Sequence, residues 1–125
     1  MSLTTVTLLV LLLFVVQLFL QETVRYHFDL WRIMGNRDER PQKTVLAARL
    51  ERAKNNMLEA LPLFLGLAML TLFAGGGNAA SPGATLFLAA RILYVPLYAA
   101  GVPVLRSLVW LAGMAGLLMM AMPLL

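Results

Sequence analysis

Cysteine is absent from the 125-residue chain, which excludes disulfides, thiolate metal sites and a protein-derived thiol nucleophile. Histidine occurs once, at His27, with no second imidazole and no acid pair to make a metal site. Charge is scarce at 13%, against roughly 25% in soluble domains, while hydrophobic residues reach 61% against roughly 45–50%. No phosphate loop, nucleophile elbow or zinc spacing is present. A soluble enzyme built on any of those devices is therefore excluded. What the composition describes is an all-α integral membrane protein, a single domain whose length limits it to about four helical spans. The net charge of +4 could invite nucleic acid, but the basic residues flank apolar runs instead of forming a soluble face. Membrane topology explains them better, and no nucleic-acid partner is expected.

The first span begins at Leu3 and is apolar to Leu20, with a helix expected to continue to about Ile33. Met1-Ser-Leu-Thr-Thr carries no basic residue and no small-residue cleavage site follows, so the run is expected to be retained as a span. Gln17, Gln21, Arg25 and Arg32 lie near one face, directed into a bundle or toward head groups, and Tyr26 and Trp31 suit an interface. Gly35-Asn36 reads as a helix stop, and Pro41 discourages a helix through Arg40. Thr44 can cap a second helix over about 44–74. Ser81-Pro82 reads as the cap and first residue of a third, over about 82–100, and a fourth covers about 104–122. Pro96 removes a backbone donor between Tyr94 and Tyr98, so a kink that separates the two hydroxyls is expected there. Gly113 and Gly116 offer close helix contacts on the last span. Every Lys and Arg falls between Arg25 and Lys54 or at Arg91 and Arg106. The first and third loops are therefore expected in the cytoplasm, with both termini on the opposite side.

Chemistry concentrates on the second helix. Arg49, Arg52, Asn56 and Glu59 recur at i, i+3, i+7 and i+10, within roughly 80° of one another on a helix. This polar stripe ends at an acid where an apolar run begins. Arg91, Tyr94 and Tyr98 share a face of the third helix. Arg91 lies mid-span, where an unpaired charge costs on the order of 3 kcal/mol or more. Two readings stay open for it: a structural ion pair with Glu59, the only acid in the apolar parts of the last three helices, or a ligand contact. Arg106-Ser107 opens the fourth helix, where a lone arginine is by default a snorkelling anchor. Together these residues fit a small ligand with several carboxylates, paired by guanidinium groups, and an ammonium group facing Glu59. A lipophilic second substrate could enter from the bilayer alongside.

The stretch Arg52-Ala-Lys-Asn-Asn56-Met-Leu-Glu59-Ala-Leu-Pro62-Leu-Phe64 resembles the second-helix pattern R-x-x-x-N-x-x-E-x-x-P-x-F of the MAPEG family, membrane-associated proteins in eicosanoid and glutathione metabolism. Arg91-x-x-Tyr94-x-x-x-Tyr98 and Arg106-Ser107 are similar to its later motifs, and the likeness covers nearly the whole chain. It looks closer to the short bacterial members than to the eicosanoid synthases, which implies a bacterial inner membrane. The resemblance implies a four-helix bundle assembled as a homotrimer, binding glutathione as co-substrate between subunits. It assigns glutathione binding to Arg52, Asn56 and Glu59, with Tyr94, Tyr98 and Arg91 on the third helix and Arg49 one turn above Arg52. On the first helix it points to Arg32 or Arg25, with Arg32 preferred because Arg25 is deeper. Arg106 and Ser107 would act at the glutathione sulfur, and each unit by which a guanidinium lowers a thiol pKa corresponds to about 1.4 kcal/mol. The implied activity is that of a transferase or peroxidase acting on a lipophilic electrophile. A small multidrug-type transporter and a non-catalytic protein of the same fold are the alternatives.

Overall fold

A computed structural model describes residues 1–36 and 42–125. The expected influence of Pro41 on Arg40, and the loop charges Arg37, Asp38 and Glu39, lie outside the described residues. Helix α1 spans Leu3–Arg25, α2 Leu30–Met34, α3 Val45–Phe73, α4 Gly77–Ala100 and α5 Pro103–Ala121, followed by one 3₁₀ turn at Met122–Leu124. Among the described residues there is no strand. Four of these helices, all but α2, are long and apolar enough to cross a membrane.

Local sequence sets most boundaries. The Thr44 hydroxyl accepts from the Ala47 amide at 3.1 Å and starts α3. α1 stops at Arg25 instead of continuing to Ile33, because His27 and Phe28 adopt left-handed backbone angles with φ 52° and 62°. Asp29 then caps the short α2, accepting from the amides of Trp31 at 3.1 Å and Arg32 at 3.4 Å. Tyr26, expected at an interface, is buried, while Trp31 is exposed. α4 begins at Gly77, more than a turn before Pro82. Pro82 is accommodated because it removes only one hydrogen bond near the helix start. Ser81 is therefore not a cap. Its hydroxyl donates instead to the Met1 carbonyl and ties the start of α1 to α4.

The core follows the apolar stripes. Val6 and Val10 of α1, Met57 and Phe64 of α3, Ala84 and Phe87 of α4 and Met120 of α5 are fully buried. Phe64 and Phe87 stack with ring centroids 4.9 Å apart, joining α3 to α4. The closest approach is between α4 and α5. A Cβ placed on Gly83 or on Gly116 would lie 2.6 Å from the carbonyl oxygen of the other. Gly116 makes the close contact expected of it, but Gly113 meets only ordinary neighbours at 3.6 Å and beyond. Large apolar side chains such as Leu12, Phe19, Leu63, Leu70 and Leu118 point outward from the long helices, as lipid contact requires. The antiparallel order brings the C-termini of α1 and α4 to the same end as the N-termini of α3 and α5. Arg25, Arg49, Arg52 and Arg106 therefore gather at that end.

Candidate functional site

The face of α3 that carries Arg52, Asn56 and Glu59 turns toward α4 and α5, and three open clefts lie along it. One, of about 220 Å³, is lined by Asn56, Tyr94, Tyr98, Arg106, Ser107 and Trp110. A second, of about 230 Å³, is lined by Arg52, Asn55, Asn56, Glu59, Tyr94 and Tyr98. A deeper one of about 150 Å³ reaches Arg91, Leu63 and Met114 and shares Asn56, Glu59 and Trp110 with the others. Asn56 lines all three. Periodicity on α3 thus places the stripe on one face, and packing against α4 and α5 makes that face a wall of the three clefts.

Tyr98 stands between two cations. The Arg106 guanidinium carbon lies 4.4 Å from its ring centroid and that of Arg52 5.8 Å away. Pro96 leaves the two tyrosine rings in contact. α4 runs unbroken through it, and the Tyr94 and Tyr98 rings pack edge to face at 5.5 Å. Ser107 faces the first cleft, but its hydroxyl donates to the Pro103 carbonyl at 3.0 Å, leaving the oxygen as an acceptor.

Arg91 lies nine residues before the end of α4, about 13 Å along the helix axis, and is only 3% exposed. Its Nη1 donates to Asn56 Oδ1 at 2.5 Å, and the guanidinium sits over the rings of Phe87 at 5.0 Å and Tyr94 at 5.5 Å. No ion pair joins it to Glu59 among the described residues, so the structural-pair reading is not realised. Glu59 is exposed, while the Nε and Nη2 atoms of Arg91 are buried with no partner among the described residues. A buried cation with unused donors calls for an acceptor, and the described residues supply none to these two atoms.

Arg49 and Arg32 stand apart from this group. Arg49 donates to the Ala99 carbonyl at 3.2 Å and lines none of the three clefts. Arg32 is exposed on α2, beyond the break in the first helix. Trp110 and Met114 also line the clefts, and the signal for them is their spacing: Arg106, Trp110 and Met114 recur at i, i+4 and i+8 and share one face of α5. Gln17 and Gln21 point into the bundle, 4% and 2% exposed.

Four membrane-crossing helices with an arginine- and tyrosine-lined cleft at one end define an integral membrane protein of the helical-bundle class. The particular family follows from the whole chain. Residues 1–125 match the model of the MAPEG family, and the chain belongs to it. Comparisons with curated proteins and with solved structures returned no significant match.

Proposed function

We propose that this protein is a glutathione-dependent membrane transferase or peroxidase acting on a lipophilic electrophile, assembled as a homotrimer with the arginine-rich end in the cytoplasm. Glutathione carries two carboxylates, one ammonium group and a thiol. The clefts offer matching groups: the cations of Arg52, Arg91 and Arg106, the single acid Glu59, the hydroxyls of Tyr94 and Tyr98, and the amides of Asn55 and Asn56. The observation that carries the reading is Arg91, a buried guanidinium beside this donor set with two nitrogens that have no acceptor among the described residues. A carboxylate from outside the chain supplies what it lacks, whereas a cationic drug, as a multidrug transporter would bind, adds repulsion.

In this reading Arg52 and Arg91 hold carboxylates, and Glu59, left free by Arg91, faces the ammonium group. Tyr98 holds Arg106 by its ring face and so sets the direction of that guanidinium. Arg106 stabilises the sulfur as thiolate, because a cation beside the sulfur favours its charged form. The Ser107 oxygen accepts a hydrogen bond from an amide of the ligand backbone. The sulfur chemistry belongs to glutathione, so a chain without cysteine can perform it. Each cleft is smaller than the roughly 300–1,000 Å³ usual for small-molecule sites. A neighbouring subunit that closes the open side would complete them.

Calorimetry of the detergent-solubilised protein with glutathione tests the reading. Binding to the wild type, lost in Arg52→Ala and in Glu59→Ala at unchanged folding, supports it. A well-folded protein that takes up no glutathione would sink it.

A further inference from the structure

α4 ends on a carbonyl that the next residues cannot satisfy. In a continuing helix the Ala99 oxygen would accept from the amide of residue 103, but that residue is Pro103 and has no amide hydrogen. The two carbonyls before that of Ala99 are satisfied within the turn. The Gly101 amide donates to Tyr98 O and the Val102 amide to Leu97 O, each at 3.1 Å. Ala99 is left over, and Arg49 of α3 supplies its donor from Nη1 at 3.2 Å. The guanidinium rests against the bare Cα of Gly101. A Cβ there would stand 2.8 Å from Arg49 Cζ, Nη1 and Nη2 alike. Gly101 also has φ +74°, which glycine adopts without strain. A missing amide and a missing side chain thus accommodate one guanidinium, at a helix end where a cation is favoured.

This turn separates Tyr98 from Arg106. Arg106 lies in the first turn of α5, its amide bonded to the Val102 carbonyl at 3.3 Å, and its guanidinium packs over Tyr98. Where the turn is held decides where both side chains stand in the cleft. We infer that Arg49 is a positioning residue: it clamps the α4–α5 turn onto α3 and so sets Arg106 and Tyr98, without contacting the ligand itself. The effect on the ligand sulfur rests on the glutathione reading above; the clamp on the turn does not.

The test uses the full chain in detergent with Arg49→Met, Arg49→Lys and Gly101→Ala. The first readout is ligand-free amide exchange over residues 97–106. Arg49→Met, which has no donor, should exchange about tenfold faster there, the worth of one hydrogen bond from a charged group. Arg49→Lys, which can still donate to Ala99, should stay near wild type. The second readout pairs the pH titration of thiolate absorbance for bound glutathione with affinity for S-methylglutathione. Arg49→Met should shift the titration to higher pH while S-methylglutathione affinity stays within about twofold. Arg49→Lys should restore it. Gly101→Ala keeps the charge but displaces the guanidinium, so it should shift the titration in the same direction. Wild-type exchange rates in Arg49→Met overturn the inference. So does a tenfold loss of S-methylglutathione affinity with the thiolate titration unmoved, or an unchanged titration in Gly101→Ala. If the wild type binds no glutathione, the glutathione reading fails and the exchange rates alone decide the clamp.

Discussion

Arg91 donates from Nη1 to the Asn56 side-chain oxygen at 2.5 Å, across the interface between α4 and α3. That bond is the one polar contact described for a guanidinium 3% exposed within the membrane-crossing part of α4. Asn56 also lines every cleft of the candidate site, so it joins the packing of the bundle to the cleft walls.

Removing Asn56 should therefore be costly. Asn56→Leu leaves the Arg91 cation without its acceptor and should destabilise the protein by about 2–3 kcal/mol. The double variant Asn56→Leu/Arg91→Met, which removes both partners, should recover much of that loss. Thermal unfolding in detergent measures both. A wild-type midpoint in Asn56→Leu would show that the bond carries little.

The glycines of α4 and α5 should differ sharply. Gly83→Ala and Gly116→Ala place a Cβ 2.6–2.8 Å from the facing backbone and should each cost about 1–3 kcal/mol. Gly113→Ala meets its nearest neighbour at 3.6 Å and should stay within about 0.5 kcal/mol of wild type. Equal midpoints for Gly113→Ala and Gly116→Ala would contradict the packing described.

Trp110 lines two of the clefts, and the only other tryptophan, Trp31, is exposed on α2. In Trp31→Phe the remaining fluorescence should change on titration with glutathione. In Trp110→Phe it should not. A response confined to Trp31 would move the binding site away from the clefts.

Arg106 should govern the ionisation of the ligand sulfur more than the affinity for the ligand. Removing a nearby cation raises a thiol pKa, and at a pH below that pKa each unit lowers the thiolate fraction about tenfold. Arg106→Ala should therefore lose most of the thiolate absorbance at neutral pH while still binding S-methylglutathione, and Arg106→Lys should fall between. Undiminished thiolate in Arg106→Ala would assign that role to another group.

Much of the architecture was legible because it is written in local pattern. The apolar runs placed the four long helices, and Thr44 marked a real helix start. The misplaced boundaries had competing local signals. Ser81-Pro82 has the chemistry of a helix start, yet α4 already runs from Gly77, and the Ser81 hydroxyl is used on Met1, a residue far away in sequence. Residues 27 and 28 carry no glycine to announce the left-handed backbone that ends α1.

The sequence by itself determined that this is a four-span membrane bundle with a basic end and with Arg52, Asn56 and Glu59 on one helix face. Hydropathy and the 3.6-residue period are properties of a single segment, so neither needs a partner helix to be read. Only the tertiary structure decided which groups those side chains meet. Arg91 reaches Asn56 and not Glu59, Arg49 turns to the carbonyl that Pro103 cannot serve, and Gly116, not Gly113, meets Gly83. Each outcome depends on the rotation and register of one helix against another. A guanidinium bonds to whichever acceptor those two quantities bring within about 3 Å.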